Sequence, residues 1–489
     1  MGVGKLFVVA ALLLAACTKA NPNACCTTMD QCAAVELKDI TGCSAGHVCD
    51  PYGACVKPQC ASSADCTSAD APICIGQLCV PKCTVDADCT GRTGTPYCAS
   101  DGVCVACNED SQCSPDKPVC DVDAHACRFC ERDRECPDDV CLESVGTCAA
   151  AANVIFVRAD GSDTGTCTPT SPCATLPYAF GKLSTSRNVV HVLGGVLDIP
   201  TPPVTLAAAT YFLDGENTRL RVQGTTAVLA SGNSQPNVIV SHLILGDPSA
   251  QVTGLAMTSG QVELYGVEVP TKMTLTGGQL EITHSNLDFT GLDVFTGGSL
   301  NLHDSNVATD IHATDVTVTL ERNRYDLPLS GGAINAGGNA VVKIENNVII
   351  SSDYLADAVY NGGLSGSTVR FNTFVNLSGV NMGGQPLDCG ANVDASSNII
   401  AWHSSATSQC AMKYTLFDAL AGLRPGEGNH VGDASTFFVD MQLKDFHLAP
   451  GSPAKGIGQP GTNVTQDIEG NPRPSPSGSS PDVGAYEAP

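Results

Sequence analysis

The amino-acid sequence predicts an all-β protein in two unlike parts: a disulfide-rich repeat region of little regular structure, then a solenoid of short parallel strands. Three observations predict it. Twenty-three of the 27 cysteines lie between Cys17 and Cys148, so one part is heavily cross-linked and the other is not. Beyond Asn153 the chain runs as short alternating apolar stretches separated by Gly, Asn, Asp and Ser, with no helical period sustained over several turns. Those stretches recur every 18 to 27 residues, the mark of stacked coils. Forty-nine Gly, 29 Pro and 5% aromatic residues also favour turns and small side chains over helical bundles.

Charge narrows the partners. Fifty acidic against 25 basic side chains give −25, made of 20 acids and 10 bases up to residue 153 and 30 and 15 beyond it. Nucleic-acid affinity comes largely from Lys and Arg on phosphates, and no basic cluster exists to supply it. At the start of the chain, Lys5 precedes an apolar run at residues 6–16, broken by Cys17, Thr18 and Lys19. A bilayer span takes about 20 apolar residues, so residues 1–16 are expected to be a secretory signal. The end of the run, Leu14-Ala15-Ala16-Cys17, resembles the lipobox of bacterial lipoproteins. That resemblance implies a lipidated Cys17 as first mature residue, a linker over 17–24 and a protein anchored in the bacterial outer membrane, exposed at the cell surface.

Residues 25–150 form the repeat region. Twenty-two cysteines, an even number, follow Cys17 in a compartment where disulfides persist. Four units begin at Cys60, Cys83, Cys107 and Cys130, each with four cysteines and a first spacing of C-x5-C, behind an irregular unit from Cys25 to Cys55. An acid precedes the second cysteine in three of them (Asp65, Asp88, Glu135). Three pairings are open within each unit. Zinc competes for sets of four cysteines, with C-x2-C steps at Cys104–Cys107 and Cys127–Cys130, and Asp86-Ala-Asp88 and Asp121-Val-Asp123 invite calcium without completing a loop site. The spacing resembles the short cysteine-rich modules of secreted proteins.

Residues 151–489 carry the solenoid. Its aligned runs are Val238-Ile-Val240, Val262-Glu-Leu264, Leu280-Glu-Ile282, Leu300-Asn-Leu302, Val318-Thr-Leu320, Val342-Lys-Ile344 and Val369-Arg-Phe371. An Asn follows repeatedly (Asn286, Asn306, Asn323, Asn347, Asn372, Asn398), placed to form a hydrogen-bonded ladder at a turn of left-handed backbone. Phrases such as Lys343-Ile-Glu-Asn-Asn-Val-Ile349 and Val369-Arg-Phe-Asn-Thr-Phe-Val375 resemble the right-handed parallel β-helix family that includes pectate lyases. Phe156-Val-Arg-Ala-Asp-Gly-Ser-Asp163 with Pro172-Cys-Ala-Thr-Leu176 resembles that family's first strand and capping helix. Phe446-His-Leu-Ala-Pro-Gly-Ser-Pro-Ala454 and Asp482-Val-Gly-Ala-Tyr-Glu487 resemble a closing segment, so Asp445, His447, Asp467, Arg473, Asp482 and Glu487 are expected to cap the last coil. Cys167 with Cys173, and Cys389 with Cys410, are expected to pair.

A lyase on this fold needs a Lys or Arg base and calcium held by acids. The candidates for chemistry are His242, His284, Asp304 and Arg322, which share one offset after the apolar pairs, with Lys343 and Arg370 inside strands. His303 and His312 stand near Asp304 and Asp310, and Asp353 and Asp357 are loop acids for a metal. Otherwise no cofactor is expected. Glycoside hydrolysis needs opposed carboxylates, but the paired Asp-Asp and Gly-His-Gly patterns of polygalacturonase-like β-helices are absent beyond residue 150, and the aromatic platforms for sugars reduce to Trp402 and Tyr414. The expected function is a surface-anchored module that binds extracellular polysaccharide or another surface. A lyase acting on acidic glycan and a purely structural surface component remain open.

Overall fold

A computed structural model describes residues 48–49, 55–56 and most of 59–488; the longest internal stretches left outside are 352–358, 379–385 and 403–409. The signal, Cys17, most of the irregular first unit, Asp353 and Asp357 all lie outside the described residues. The chain divides into two compact units, Met1–Cys148 and Ala149–Pro489.

In the first unit each cysteine module is a short 3-10 helix followed by a two-stranded hairpin. Cys98 faces Cys104, Cys120 faces Cys127 and Cys141 faces Cys148 across their hairpins. The bridges run first to third and second to fourth: Cys83–Cys98 with Cys89–Cys104, Cys107–Cys120 with Cys113–Cys127, and Cys130–Cys141 with Cys136–Cys148. Cys66–Cys79 follows the same rule one unit earlier. Such modules are too small to bury a core, and each bridge stabilises by roughly 2–4 kcal/mol. The side chain before the second cysteine clamps the loop. Asp88 accepts from the amides of Thr84 and Val85 (2.7 and 3.2 Å), Asp65 from Ala61 and Ser62 (both 2.8 Å), and Glu135 from Glu131 (2.9 Å). Gln112 fills the same place with an amide, accepting from Asn108 at 2.6 Å. A second acid, Asp86, Asp110 or Asp133, accepts from the amide of the third cysteine at 2.7–2.8 Å. Of the acids that invite calcium, Asp86, Asp88 and, through the amides of Asp123 and Ala124, Asp121 are occupied with backbone.

The second unit is a right-handed parallel β-helix. A representative coil contains Gln279–Thr283, a left-handed corner at His284, the short strand Asn286–Leu287, and Leu292–Thr296 on a further face. Strands of the first two kinds build one sheet of 22 strands, and the third kind builds a sheet of nine. All neighbours within both sheets are parallel. The inward stack runs Leu264, Ile282, Leu302, Leu320, Ile344, Val369, Ala395, all fully buried. Val369 thus pairs with Ile344 and not with Val342, two residues away from the alignment that the apolar spacing alone suggests. Phe371 consequently occupies a corner, with φ +55°, instead of the interior.

Side chains one residue past each corner set this register. The Asn323 amide nitrogen donates to Asn347 Oδ1, that of Asn347 to Asn372, and that of Asn372 to Asn398, each at 2.9 Å, and every one of these side chains is fully buried. Their Nδ2 atoms return bonds to Leu302, Leu320, Ile344 and Val369 carbonyls at 2.8–2.9 Å. In the preceding coils Ser285 and Ser305 take these places. Asn286 and Asn306 are exposed and stand outside the ladder, a correction that follows from strand parity.

At the amino end, the Cys167–Cys173 bridge and Asp163 organise a loop; Asp163 accepts from the Ala174 and Thr175 amides (2.8 and 3.1 Å) and the Thr175 hydroxyl (2.7 Å). The helix Leu176–Phe180 then buries Leu176 and Ala179 in the solenoid core. Cys389 bridges Cys410 near the other end. The segment expected to cap the last coil lies along a flank instead. In Val348–Ser351, Thr373–Asn376 and Ile399–Ala401 both faces are covered, because Val348, Ile350, Val375 and Ile399 pack outward on Phe437, Phe446, Val483 and Ala485. Gly484 (φ +88°) fits only without a side chain, since a Cβ there would lie 2.5 Å from Ile399 and 2.7 Å from Thr373. Arg473 is buried, donates to the carbonyls of Asp482 (2.8 Å) and Gly484 (3.0 Å), and stacks 4.4 Å from the Phe371 ring.

Truncation of Asn347 to Ala orphans a buried amide and two carbonyls and is expected to destabilise by about 2–4 kcal/mol. Asn286→Ala is expected to change stability by less than about 0.5 kcal/mol. Guanidinium unfolding midpoints of the two variants measure the difference.

Candidate functional site

Because register is fixed, the last outward residue before each corner stacks into one column on the outside of the large sheet. It reads His191, Asp214, Ser241, Tyr265, Thr283, His303, Glu321, Glu345, Arg370. The corner residues beside it are His242, His284, Asp304 and Arg322, with φ of 50–54°. The sequence-predicted candidates therefore gather along this edge.

Their chemistry is that of paired charges. Arg322 meets Asp304 with two bonds of 2.7 Å, and His303 binds Asp304 (2.8 Å) and Glu281 (3.1 Å). Lys343 lies between Glu321 and Glu345, 3.1 Å from the latter, and Arg370 pairs with Asp394. The hydrogen bond to Asp304 raises the Arg322 pKa above its ordinary value. For Lys343, burial acts downward, but the two glutamates outweigh it and the pKa rises. A base working near neutral pH needs the opposite shift. His284 binds the Thr283 hydroxyl at 2.7 Å and lies 5.2 Å from the Tyr265 ring. His312 sits on the nine-stranded sheet, opposite Asn335, and near it burial raises the Asp310 carboxyl. Trp402 is 2% exposed, part of the core, and so is no platform for a sugar.

Two arrangements were not visible in the sequence. Asp214, fully buried, accepts from His191 Nδ1 (2.8 Å), His242 Nδ1 (3.1 Å) and the Ser241 hydroxyl (2.7 Å). Burial pushes its pKa up, but the histidines overcome this and hold it low. Its strand carries the apolar pair Tyr211 and Leu213 in register with Val238 and Val240, one coil ahead of the runs aligned from the sequence. The second arrangement is a shallow trough of about 420 Å³ on the outer face of the large sheet. Asn237, Ile239, Gln261, Glu263, Gln279, Glu281, Ser299 and Asn301 line it. Gln261 donates to Gln279 at 2.7 Å, and Asn301 to Glu281 at 3.4 Å. Gln at the first place of two successive strands and Glu at the third was the sequence signal. Among the described residues the four-cysteine groups offer no thiolates to a metal, since their sulfurs are joined in disulfides.

No family model matches the chain, and no curated protein matches it. Among solved structures it is similar to pectate lyase Pel9A, with a TM-score of 0.39 and 15% identity, over 70% of this chain and 97% of that one. A likeness of this degree carries nothing about chemistry.

The paired charges have a defined pH response. Hydrogen bonding to Asp304 raises the His303 pKa, so its contribution to stability is complete below about 6.5 and is lost as pH rises through the folded value. For Asp304, burial acts upward, but the bonds from His303 and Arg322 hold the carboxyl far below its ordinary range. Its contribution is present above about pH 4 and is lost only as pH falls through the folded value. An NMR titration is expected to place His303 above the ordinary histidine value, and Asp304→Asn to bring it back down. An unshifted His303 in the native protein contradicts the network.

Proposed function

We propose that the β-helix is a non-cleaving glycan-binding module, carried at a bacterial cell surface by a lipidated Cys17 and the disulfide-braced repeats. The trough is the observation that carries this reading. Its rungs repeat at about 4.8 Å along the axis, and each presents amide, hydroxyl or carboxylate groups of the kind that exchange hydrogen bonds with sugar hydroxyls. Ile239, half-buried among them, offers an apolar partner for the C–H face of a sugar ring. The raised pKa values of Arg322 and Lys343 speak against β-elimination by either residue.

A glycan panel read by calorimetry tests the binding. Gln261→Ala and Gln279→Ala are expected each to weaken the best ligand by roughly threefold to tenfold, the effect of one or two lost hydrogen bonds. Ultraviolet absorbance on acidic polysaccharides, with and without calcium, is expected to show no unsaturated product; product formation abolished by Arg322→Ala or Lys343→Ala establishes a lyase instead. For the anchor, Cys17→Ser is expected to move the protein out of the membrane fraction. Retention there refutes lipidation.

A further inference from the structure

The two carboxylates of the trough are not equivalent. Glu281 is exposed and compensated, accepting from His303 Nε2 at 3.1 Å and Asn301 Nδ2 at 3.4 Å. Glu263, one rung away in direct register with Glu281, is half-buried and has no hydrogen bond or ion pair among the described residues. Its inward neighbours on the strand, Val262 and Leu264, are apolar and buried. Neither Lys nor Arg lines the trough. A half-buried carboxylate beside a second one costs free energy that an arriving cation would recover, and the same pair repels an anionic polymer. Burial and the Glu281 charge raise the Glu263 pKa and outweigh the opposing pull of His303, which makes no hydrogen bond to Glu263 and is itself held by Asp304 and Glu281. The protein's charge of −25 adds a long-range field of the same sign, drawing cations and turning anions away.

We propose that the ligand of the trough is a glycan bearing free ammonium groups, an amino-sugar polymer that is at least partly deacetylated, with Glu263 as the counter-charge for one ammonium. This rests on the glycan-binding reading and narrows its ligand. The amides of Gln261, Gln279 and Asn301 flank Glu263 on the same face, so an ammonium at Glu263 leaves neighbouring ring hydroxyls beside them. Acidic polysaccharide, the substrate a lyase requires, is the class that this surface rejects.

The experiment is calorimetric titration of the full chain with oligomers of β-1,4-linked glucosamine, N-acetylglucosamine and galacturonate, at low and at high salt. Glucosamine oligomers are expected to bind roughly tenfold tighter than the acetylated ones at low salt, the effect of one charge-assisted hydrogen bond, and this advantage is expected to shrink with salt. Glu263→Gln is expected to abolish the advantage and leave binding of the acetylated oligomer in place, whereas Gln279→Ala weakens both. The thermal melt of each variant reports whether its fold is intact, and the salt dependence of the unaltered protein tests the same inference without a variant. Tighter binding of galacturonate in the absence of calcium, or a preference for glucosamine that survives Glu263→Gln, overturns the inference while glycan binding stands. Failure to bind any of the three, or a Gln279→Ala variant that binds all of them as before, removes the glycan-binding reading at the trough and the inference with it.

Discussion

Past each corner of the solenoid, one backbone amide turns into the interior, where no water can reach it, and must find an acceptor on the next coil. From Ser285 to Asn398 that acceptor is the side chain at the same place one rung on. A slip of a single residue would leave several buried donors and acceptors unpaired and turn the apolar side chains outward. The ladder therefore fixes the register of the large sheet over the coils from Ser285 to Asn398. The inward column of Leu, Ile and Val follows from it, and so does the outward column of charged and polar groups. Ion pairs such as Asp304–Arg322 are a consequence of this register more than a cause of it, since half-exposed pairs contribute little by themselves.

How much of this could be read from residues depends on which physical rule wrote them. The repeated phrases at Leu280 and Leu300 are legible because strand parity forces apolar residues inward at every second place. The ladder was legible in kind but not in detail. Each true member stands three residues after the last inward apolar side chain, as in Leu320 to Asn323, Ile344 to Asn347 and Val369 to Asn372. Asn286 and Asn306 break that count, and aligning on Asn372 would have placed Phe371 at its corner. Disulfide connectivity within the cysteine repeats was not legible, because spacing permits three pairings and only the hairpins choose among them, whereas Cys167–Cys173 and Cys389–Cys410 pair as expected. The flank cover left a trace in the continuous runs Val348-Ile349-Ile350 and Ile399-Ile400-Ala401, which signal a sheet covered on both sides. His191 and Asp214 are adjacent only through the register, 23 residues apart in the chain.

The outer face divides by charge. Toward the later coils, cations and acids alternate and neutralise each other, as in Arg322, Lys343 and Arg370 with their partners. Along the trough, from Asn237 to Asn301, the outward residues are mostly amides, Ser and Glu, and no Lys or Arg lines it. The same scaffold thus presents a closed, self-satisfied stripe and an open one with hydrogen-bonding capacity to spare.

The flank segment has a bearing on how the protein is made. Outward-facing Val348, Ile350, Val375, Ile399 and Leu416 belong to four successive coils, yet their cover comes from residues 434–488, synthesised after all of them. Until that stretch has emerged, those coils carry an uncovered apolar wall that invites proteases and aggregation. A chain broken off before Phe437 has complete coils and still cannot hide this wall. The order of synthesis thus leaves the wall exposed for as long as it takes to make the residues between Leu416 and the segment that covers it.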